Sequence, residues 1–236
     1  MKNKVLVAMS GGVDSSVTLI KIIEMGYEAI GITMKLWEYK NMGGTNLQEN
    51  NCCAVSSINK AKLVCERMGV PHYTIDFTKS FKKDVVDNFV GEYIKGRTPN
   101  PCVRCNSFIK WDTFIKQAKI LGANYIATGH YAKIEKTNGD YYIKQGADQK
   151  KDQSYVLWGI PKETLSKTIL PLGDLTKEQV RQIARDNSHF RFSVIAVLRG
   201  QKTIVPWAEF TFEEGDIGYF VIKTEDIQNL MDLLCK

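Results

Sequence analysis

Apolar and polar positions follow a repeating order through most of the chain: a short apolar run, a turn, then an amphipathic stretch. Residues 4–9 are continuously apolar after Lys4 and predict a buried strand. Residues 14–25 place Val17, Leu19, Ile20, Ile23 and Met25 at helical spacing and stop at Gly26. Glu28 to Met34 reads as a second strand, so the chain opens with a β-α-β unit and a parallel sheet. The order then recurs: a helix from Cys52 to Met68, a strand from His72 to Phe77, a helix over 79–95, a helix over 107–121, and a strand over Tyr125–Thr128. Residues 134–143 predict a hairpin about Thr137-Asn138-Gly139-Asp140. Thr176 with Gln179 three positions on is a capping-box start for a helix over 176–186. The polar, Gly/Asn-rich stretch 38–51 reads as a long loop.

Beyond about residue 188 the rhythm changes to short strands only: Phe192–Leu198, Thr203–Pro206 and Ile217–Ile222, closed by an amphipathic helix over 224–235. The expectation is therefore two domains. Residues 1–188 form an α/β domain and 189–236 a small α+β tail.

In a parallel α/β sheet, ligands lie at the C-terminal ends of the strands. Three segments with chemical potential fall there. The first is Met9-Ser10-Gly11-Gly12-Val13-Asp14-Ser15-Ser16, a tight turn that opens a helix. Glycine allows close backbone approach, and the free N–H groups of a helix start favour an anion. Its spacing is not that of a P-loop, which ends in Gly-Lys-Ser/Thr. The second is Met34, at the tip of the second strand, which is either a core methionine or a flank for a base. The third is Gly129-His130, after the fourth strand. A further segment, Gly96 to Asn106, carries two prolines and reads as a rigid loop presenting Cys102-x-x-Cys105 among Arg97, Arg104 and Lys110, cations that favour thiolate. A metal site, a redox dithiol and a nucleophilic thiolate remain open on spacing alone.

Composition narrows the classes. At 44% hydrophobic and 25% charged, the chain is a globular protein with no apolar run of transmembrane length. The first residues read as a core strand rather than a leader, an expectation that favours the cytoplasm. The net charge is +6, and residues 190–236 carry −2 of it, so a basic body precedes an acidic tail. That suits a polyanionic partner or simply a basic surface. Six cysteines in such a setting point to reactive, metal-binding or buried thiols rather than disulfides.

The Ser10–Ser16 turn resembles the PP-loop of ATP pyrophosphatases. Taken with Met34-Lys35-Leu36-Trp37-Glu38, Gly96 to Asn106 with Lys110, Ala127-Thr128-Gly129-His130-Tyr131, Lys151-Asp152-Gln153-Ser154-Tyr155 and Pro171-Leu172-Gly173, in that order, it makes the first 185 or so residues resemble the tRNA 2-thiouridylases of the MnmA/TrmU family. The resemblance implies an adenine nucleotide α-hydrolase-like (HUP, Rossmann-like) parallel sheet. It also implies ATP-dependent adenylation of the wobble uridine at O2, then sulfur transfer from a cysteine persulfide. ATP contacts map onto Ala8, Met9, Ser10, Gly11, Gly12, Val13, Asp14, Ser15, Met34 and Gly129, with Asp14 suited to Mg²⁺. Cys105 maps onto the nucleophile, and Asn100, Pro101 and Cys102 onto the target-base contact, with Cys102 a possible second catalytic thiol. His130, Lys151, Asp152 and Gln153 map onto tRNA contacts. The implied partners are tRNA and a persulfide donor. An iron–sulfur cluster on Cys102 and Cys105 lacks a third matched ligand.

The resemblance fails after the helix over 176–186. Family members place a second cysteine there, in an Asp-Ser-x-x-Ile-Cys-Phe segment, whereas here the chain passes through Asn187-Ser188 to His189-Phe190-Arg191 and carries no thiol until Cys235. The strands around Arg199-Gly200-Gln201 and Glu213-Glu214-Gly215-Asp216 resemble instead the TrkA C-terminal (RCK-C) domain. A fused or truncated reading frame would account for the change. The rival expectation is a nucleotide- or tRNA-binding protein that does not turn over. A related PP-loop synthetase using ammonia is disfavoured by the Pro-Cys-x-x-Cys-Asn segment.

Overall fold

The computed structural model describes residues 2–37, 55–187, 192–206 and 210–222. The 38–51 loop, Cys52-Cys53 at the start of the second predicted helix, the join at 188–191 and the helix expected over 224–235 lie outside them. The chain divides into two compact units, Met1–Ala184 and Arg185–Lys236.

The first unit is built on five parallel strands in the order β3-β2-β1-β4-β7. Strands β1 (Lys4–Ala8) and β2 (Glu28–Lys35) flank helix α1 (Val13–Glu24), and α2 (Val55–Arg67) leads to β3 (His72–Asp76). On the other side of β1 lie β4 (Tyr125–Ala127) and the two-residue β7 (Thr168–Ile169). Strand β1 is apolar on both faces because it is covered on both. Leu6 packs with Ile32, Trp111, Phe114 and Ile126 on one side, while Val5 and Val7 pack with Leu19, Ile22 and Cys65 on the other. This is the burial that a continuous apolar run implies. The predicted hairpin is present as β5 (Ala132–Thr137) and β6 (Asp140–Gln145). Asn138 (φ 53°) and Gly139 (φ 89°) make its two-residue turn, the positive-φ pair that suits a hairpin's twist.

Two helical regions depart from regular α geometry. After β3, α3 (Thr78–Phe81) widens into a π-type stretch over Lys82–Val86 before α4 (Asp87–Ile94). The second departure corrects the sequence reading of residues 96–106. Cys102 and Cys105 are not on a rigid loop. They lie in a helix that starts at Pro101, as α5 (Pro101–Arg104), widens over Cys105–Thr113, and continues as α6 (Phe114–Ile120). Proline breaks a helix interior but suits its first position, where the missing N–H would be unpaired anyway. Asn100 Oδ1 caps that start, accepting from Cys102 N at 3.0 Å and Val103 N at 3.4 Å. Such a cap is worth about 1 kcal/mol. In the wide stretch, Phe114 N–H donates to the Ile109 carbonyl five residues back.

The short α7 (Lys162–Leu165) precedes β7, and α8 (Lys177–Asp186) closes the unit. The capping box before α8 is formed: Thr176 N donates to Gln179 Oε1 at 2.8 Å, and Gln179 N donates to Thr176 Oγ1 at 3.2 Å.

The second unit is an antiparallel sheet in the order β10-β8-β9, made of β8 (Phe192–Arg199), β9 (Lys202–Ile204) and β10 (Ile217–Ile222). Arg199 clamps the turn before β10. Its guanidinium meets Asp216 at 2.7 and 2.8 Å and Glu213 at 2.5 Å; the Arg199 bonds to Asp216, with one from Glu213 N at 2.9 Å, hold the Asp216 carboxyl down at about 2.

Candidate active site

The strand order reverses at β1 and β4, so a crevice opens at their C-terminal ends. The Ser10–Ser15 turn sits there. Gly11 has φ 76°, and a Cβ on it would stand 2.3 Å from the Ser57 carbonyl oxygen, so this position requires glycine. Ser15 Oγ accepts from Ser10 N at 3.2 Å and donates to the Gly12 carbonyl at 2.9 Å, which pins the turn to the first turn of α1. Gly129 packs so closely on α1 that a Cβ would lie 3.1 Å from the Asp14 carbonyl carbon.

A cavity of about 220 Å³ fills this crevice. Ala8, Met9, Ser10, Asp14, Ser15, Met34 and Gly129 all line it, with Leu36, Lys110, Thr128, His130 and Gln153. Gly11, Gly12 and Val13 shape the turn without lining the cavity. A larger cavity of about 730 Å³ adjoins it, walled by Pro101, Cys102, Cys105, Asn106 and the aromatic rings of Trp37, Phe81, Phe89 and Tyr155. The two share Leu36, Lys110, His130 and Gln153.

His130 is the buried partition. Its Nδ1 is 2.8 Å from Thr128 Oγ1, and its ring lies 5.5 Å from that of Trp111. Burial, reinforced by the Lys110 ammonium, pushes its pKa well below the usual histidine value, so it is neutral near pH 7. Of the three cations expected around the thiols, only Lys110 lines a cavity with them. Arg97 pairs with Glu92, and Arg104 donates from Nε to the Asp84 carbonyl at 2.7 Å with its guanidinium 4.6 Å from the Phe108 ring centroid. Cys65 is a buried core thiol whose pKa burial raises to about 11.

Other sequence-predicted residues serve the scaffold. Asp152 accepts from Gly146 N at 2.9 Å and from Ser154 Oγ at 2.7 Å, holding its own loop, and neither it nor Lys151 lines the two cavities. Gln153 lines both and accepts from Tyr131 N at 3.1 Å. Asn100 lines a separate groove with Pro99 and Trp158.

Two features were not singled out from sequence. Lys177, the first residue of α8, places Nζ 2.6 Å from Asp14 Oδ1, and Tyr131 donates its hydroxyl to the same oxygen at 2.8 Å. The two residues are 163 positions apart, and the only local signal was the adjacent capping box. Desolvation and the Asp14 bond push the Tyr131 phenol far above its ordinary value, so it stays a donor. A single carboxylate beside a phosphate-sized turn matches the way Mg²⁺ is usually held, by one or two carboxylates together with substrate phosphates. No group of three or more His, Cys, Asp or Glu side chains suited to a metal occurs among the described residues.

The second is Asn106. It is 2% exposed and donates from Nδ2 to the Val156 carbonyl at 3.1 Å, yet its Oδ1 has no partner. It is the only such buried side-chain N or O atom among the described residues. An orphan of this kind costs about 1–3 kcal/mol.

A glycine-rich turn at the switch point of a parallel sheet, with a cavity of about 220 Å³ beside it, is the architecture of an α/β protein of the HUP class. Comparison with known proteins makes the assignment specific. The model of the tRNA methyl transferase HUP domain family matches residues 3–194, and the chain belongs to that family. The curated tRNA-specific 2-thiouridylase MnmA of Amoebophilus asiaticus is 51% identical over 183 residues, 78% of this chain and 48% of that protein. The MnmA proteins of Cytophaga hutchinsonii and Salinibacter ruber are 48% and 46% identical over the same share of this chain. The chain thus spans about half the length of the curated relatives it matches. Among solved structures, a predicted subunit of tRNA methyltransferase from Methanocaldococcus jannaschii aligns with a TM-score of 0.45 at 17% identity, over 82% of this chain and 78% of that one. No helix among the described residues is long and apolar enough to cross a membrane.

Proposed function

We propose that the chain carries out ATP-dependent 2-thiolation of a tRNA uridine, the activity named for its MnmA relatives. One observation supports this above the rest: the Ser10–Ser15 cavity and the Cys102/Cys105 cavity adjoin through His130, Lys110 and Gln153. Two chemical steps on one base need such a pair of sites.

In this reading ATP occupies the first cavity and the extruded uracil the second. Taking the base out of its stack is the general solution for chemistry on a base edge. Uridine O2 attacks the α-phosphorus; the O–P bond forms, pyrophosphate leaves, and the N3 proton is lost. The N–H groups of the Ser10–Ser15 turn and α1 bind the departing phosphates. Mg²⁺, held by Asp14, would supply charge neutralisation there. A persulfide delivered by a donor protein is carried on Cys105, and its outer sulfur attacks C2 as AMP leaves. A second thiol then attacks the inner sulfur, releasing 2-thiouridine and leaving a disulfide for an external dithiol to reduce. Cys102, one turn away and lining the same cavity, is the nearest candidate for that thiol.

A second reading, binding of ATP and tRNA without turnover, is favoured by one fact: no cysteine lies between Cys105 and Cys235. Incubating the purified protein with tRNA, Mg·ATP and a persulfide donor decides between them, with thiolated nucleoside measured by mass spectrometry. Thiolation that Cys105→Ser abolishes and Cys102→Ser slows supports the enzyme. Nucleotide-dependent tRNA binding with no thiolated product supports the binding protein. For the second unit, the antiparallel sheet around Arg199 and Asp216 supports a small ligand-binding or dimerising module of the RCK-C kind.

A further inference from the structure

Asn106, which carries the buried orphan acceptor Oδ1, is one of the residues lining the cavity that Cys102 and Cys105 also line. Buried polar groups are paired in nearly all native structures, so one left unpaired on a cavity-lining residue calls for a partner from outside the protein. Its other end is fixed: Nδ2 donates to the Val156 carbonyl, which assigns the amide orientation and leaves Oδ1 as a pure acceptor. The ligand this atom wants is therefore a hydrogen-bond donor that enters the Cys102/Cys105 cavity.

Uracil offers one ring N–H on its pairing edge, at N3, and N3 is bonded directly to C2. Cytosine presents a lone pair at N3, which would face Oδ1 without a proton between them. We propose that Asn106 Oδ1 accepts the N3–H of the incoming target uracil, selecting uridine over cytidine at binding, before adenylation removes that proton, and registering the base next to the preceding residue, Cys105. This rests on the reading of that cavity as the uridine pocket. Adjacency in sequence does the positioning. One helix backbone carries both the acceptor and the nucleophile, so a base registered on Asn106 is registered on Cys105 as well.

The same geometry separates uridine from its N3-methyl derivative. The methyl group replaces the only proton that Oδ1 can take and adds bulk against a buried atom. Losing a bond to a buried acceptor is worth about tenfold or more in affinity.

The test uses the full chain with Mg²⁺, a non-hydrolysable ATP analogue and an anticodon stem–loop RNA carrying uridine, cytidine or N3-methyluridine at the target position. Binding is measured by calorimetry, and thiolation of the uridine RNA is followed separately with ATP and a persulfide donor. The wild-type protein should prefer uridine over both alternatives by about tenfold or more. Asn106→Ser and Asn106→Leu should bring that ratio to within about twofold, the loss falling on the uridine RNA. If the uridine RNA binds and is thiolated but the ratio is the same in wild type and folded variants, Asn106 is a structural amide and the inference falls while the thiolation reading stands. If the uridine RNA neither binds nor is thiolated, both fall. Should neither variant fold, as judged by melting, the wild-type ratio decides: a value near one overturns the inference, and tenfold supports it.

Discussion

The contact between Lys177 and Asp14 makes a measurable demand on nucleotide binding. Asp14 puts a negative charge on the wall of the Ser10–Ser15 cavity, and Lys177 neutralises it from 2.6 Å. Replacing Lys177 with Met keeps most of the side chain's length and removes the charge. ATP entering without metal would then meet an unneutralised carboxylate. At about 5 Å and an effective dielectric of about 20, two unit charges interact by about 3 kcal/mol. The Asp14 side chain is 36% exposed, and salt and water at that exposure roughly halve the figure. The remaining 1.4 kcal/mol or so is about tenfold in dissociation constant. With Mg²⁺ present, the ion takes over the neutralisation and the penalty disappears. Calorimetric titration of ATP with and without a few millimolar Mg²⁺, at fixed ionic strength, should therefore show a Mg²⁺ dependence about tenfold steeper in Lys177→Met than in the wild type. Loss of the ion pair should also lower the melting temperature by about 2–4 °C. Equal Mg²⁺ dependence in both proteins would refute the reasoning, because Asp14 would then be indifferent to what neutralises it.

Two further predictions follow from the same region. Gly11→Ala places a methyl group 2.3 Å from the Ser57 carbonyl oxygen at a φ of 76°, and should weaken ATP binding by about tenfold or more while circular dichroism stays native; unchanged affinity would mean the turn does not touch the nucleotide. His130 and His72 both have pKa values lowered by burial, so the unfolded chain binds more protons than the native one in acid. Their contribution to stability is complete above about pH 6.5 and is lost as the pH falls below it, at up to about 1.4 kcal/mol per unit for each. Melting curves from pH 8 to 5 should show this decline, and His130→Gln should make it shallower; an identical slope would exclude His130 as a source.

The strands and most helices were legible because their causes are local. Residues 4–9 are apolar because β1 is covered on both faces, and Thr176 with Gln179 forms the cap that the pattern names. The strand β7 is only Thr168–Ile169, too short to carry a period. Prolines near the thiols read as breakers because sequence shows their stiffness and not their position in the helix. The cavity wall was legible as motif residues, since Ala8 to Ser10, Asp14, Ser15, Met34 and Gly129 converge through a topology that β-α-β order already implies. Lys177 was not, because a contact made across 163 residues has no local signature. Nor was the orphan oxygen of Asn106, since lack of a partner is a property of the surroundings.

The widened helix over Cys105–Thr113 has a consequence for how this chain can change. Cys105 and Lys110 both line the large cavity, while Asn106 and Trp111 are both buried; each pair is five positions apart. In a regular α-helix, residues five apart point about 140° away from one another. Closing the turn with five-residue bonds brings them toward one side. The helix therefore carries a phase, and the phase is held by chain length alone. Deleting one residue among Ser107, Phe108 and Ile109 would let the backbone relax into ordinary α geometry, a gain in local regularity. It would also turn the thiol and the lysine to different faces. A single-codon deletion would therefore dismantle the site while leaving a well-formed helix behind.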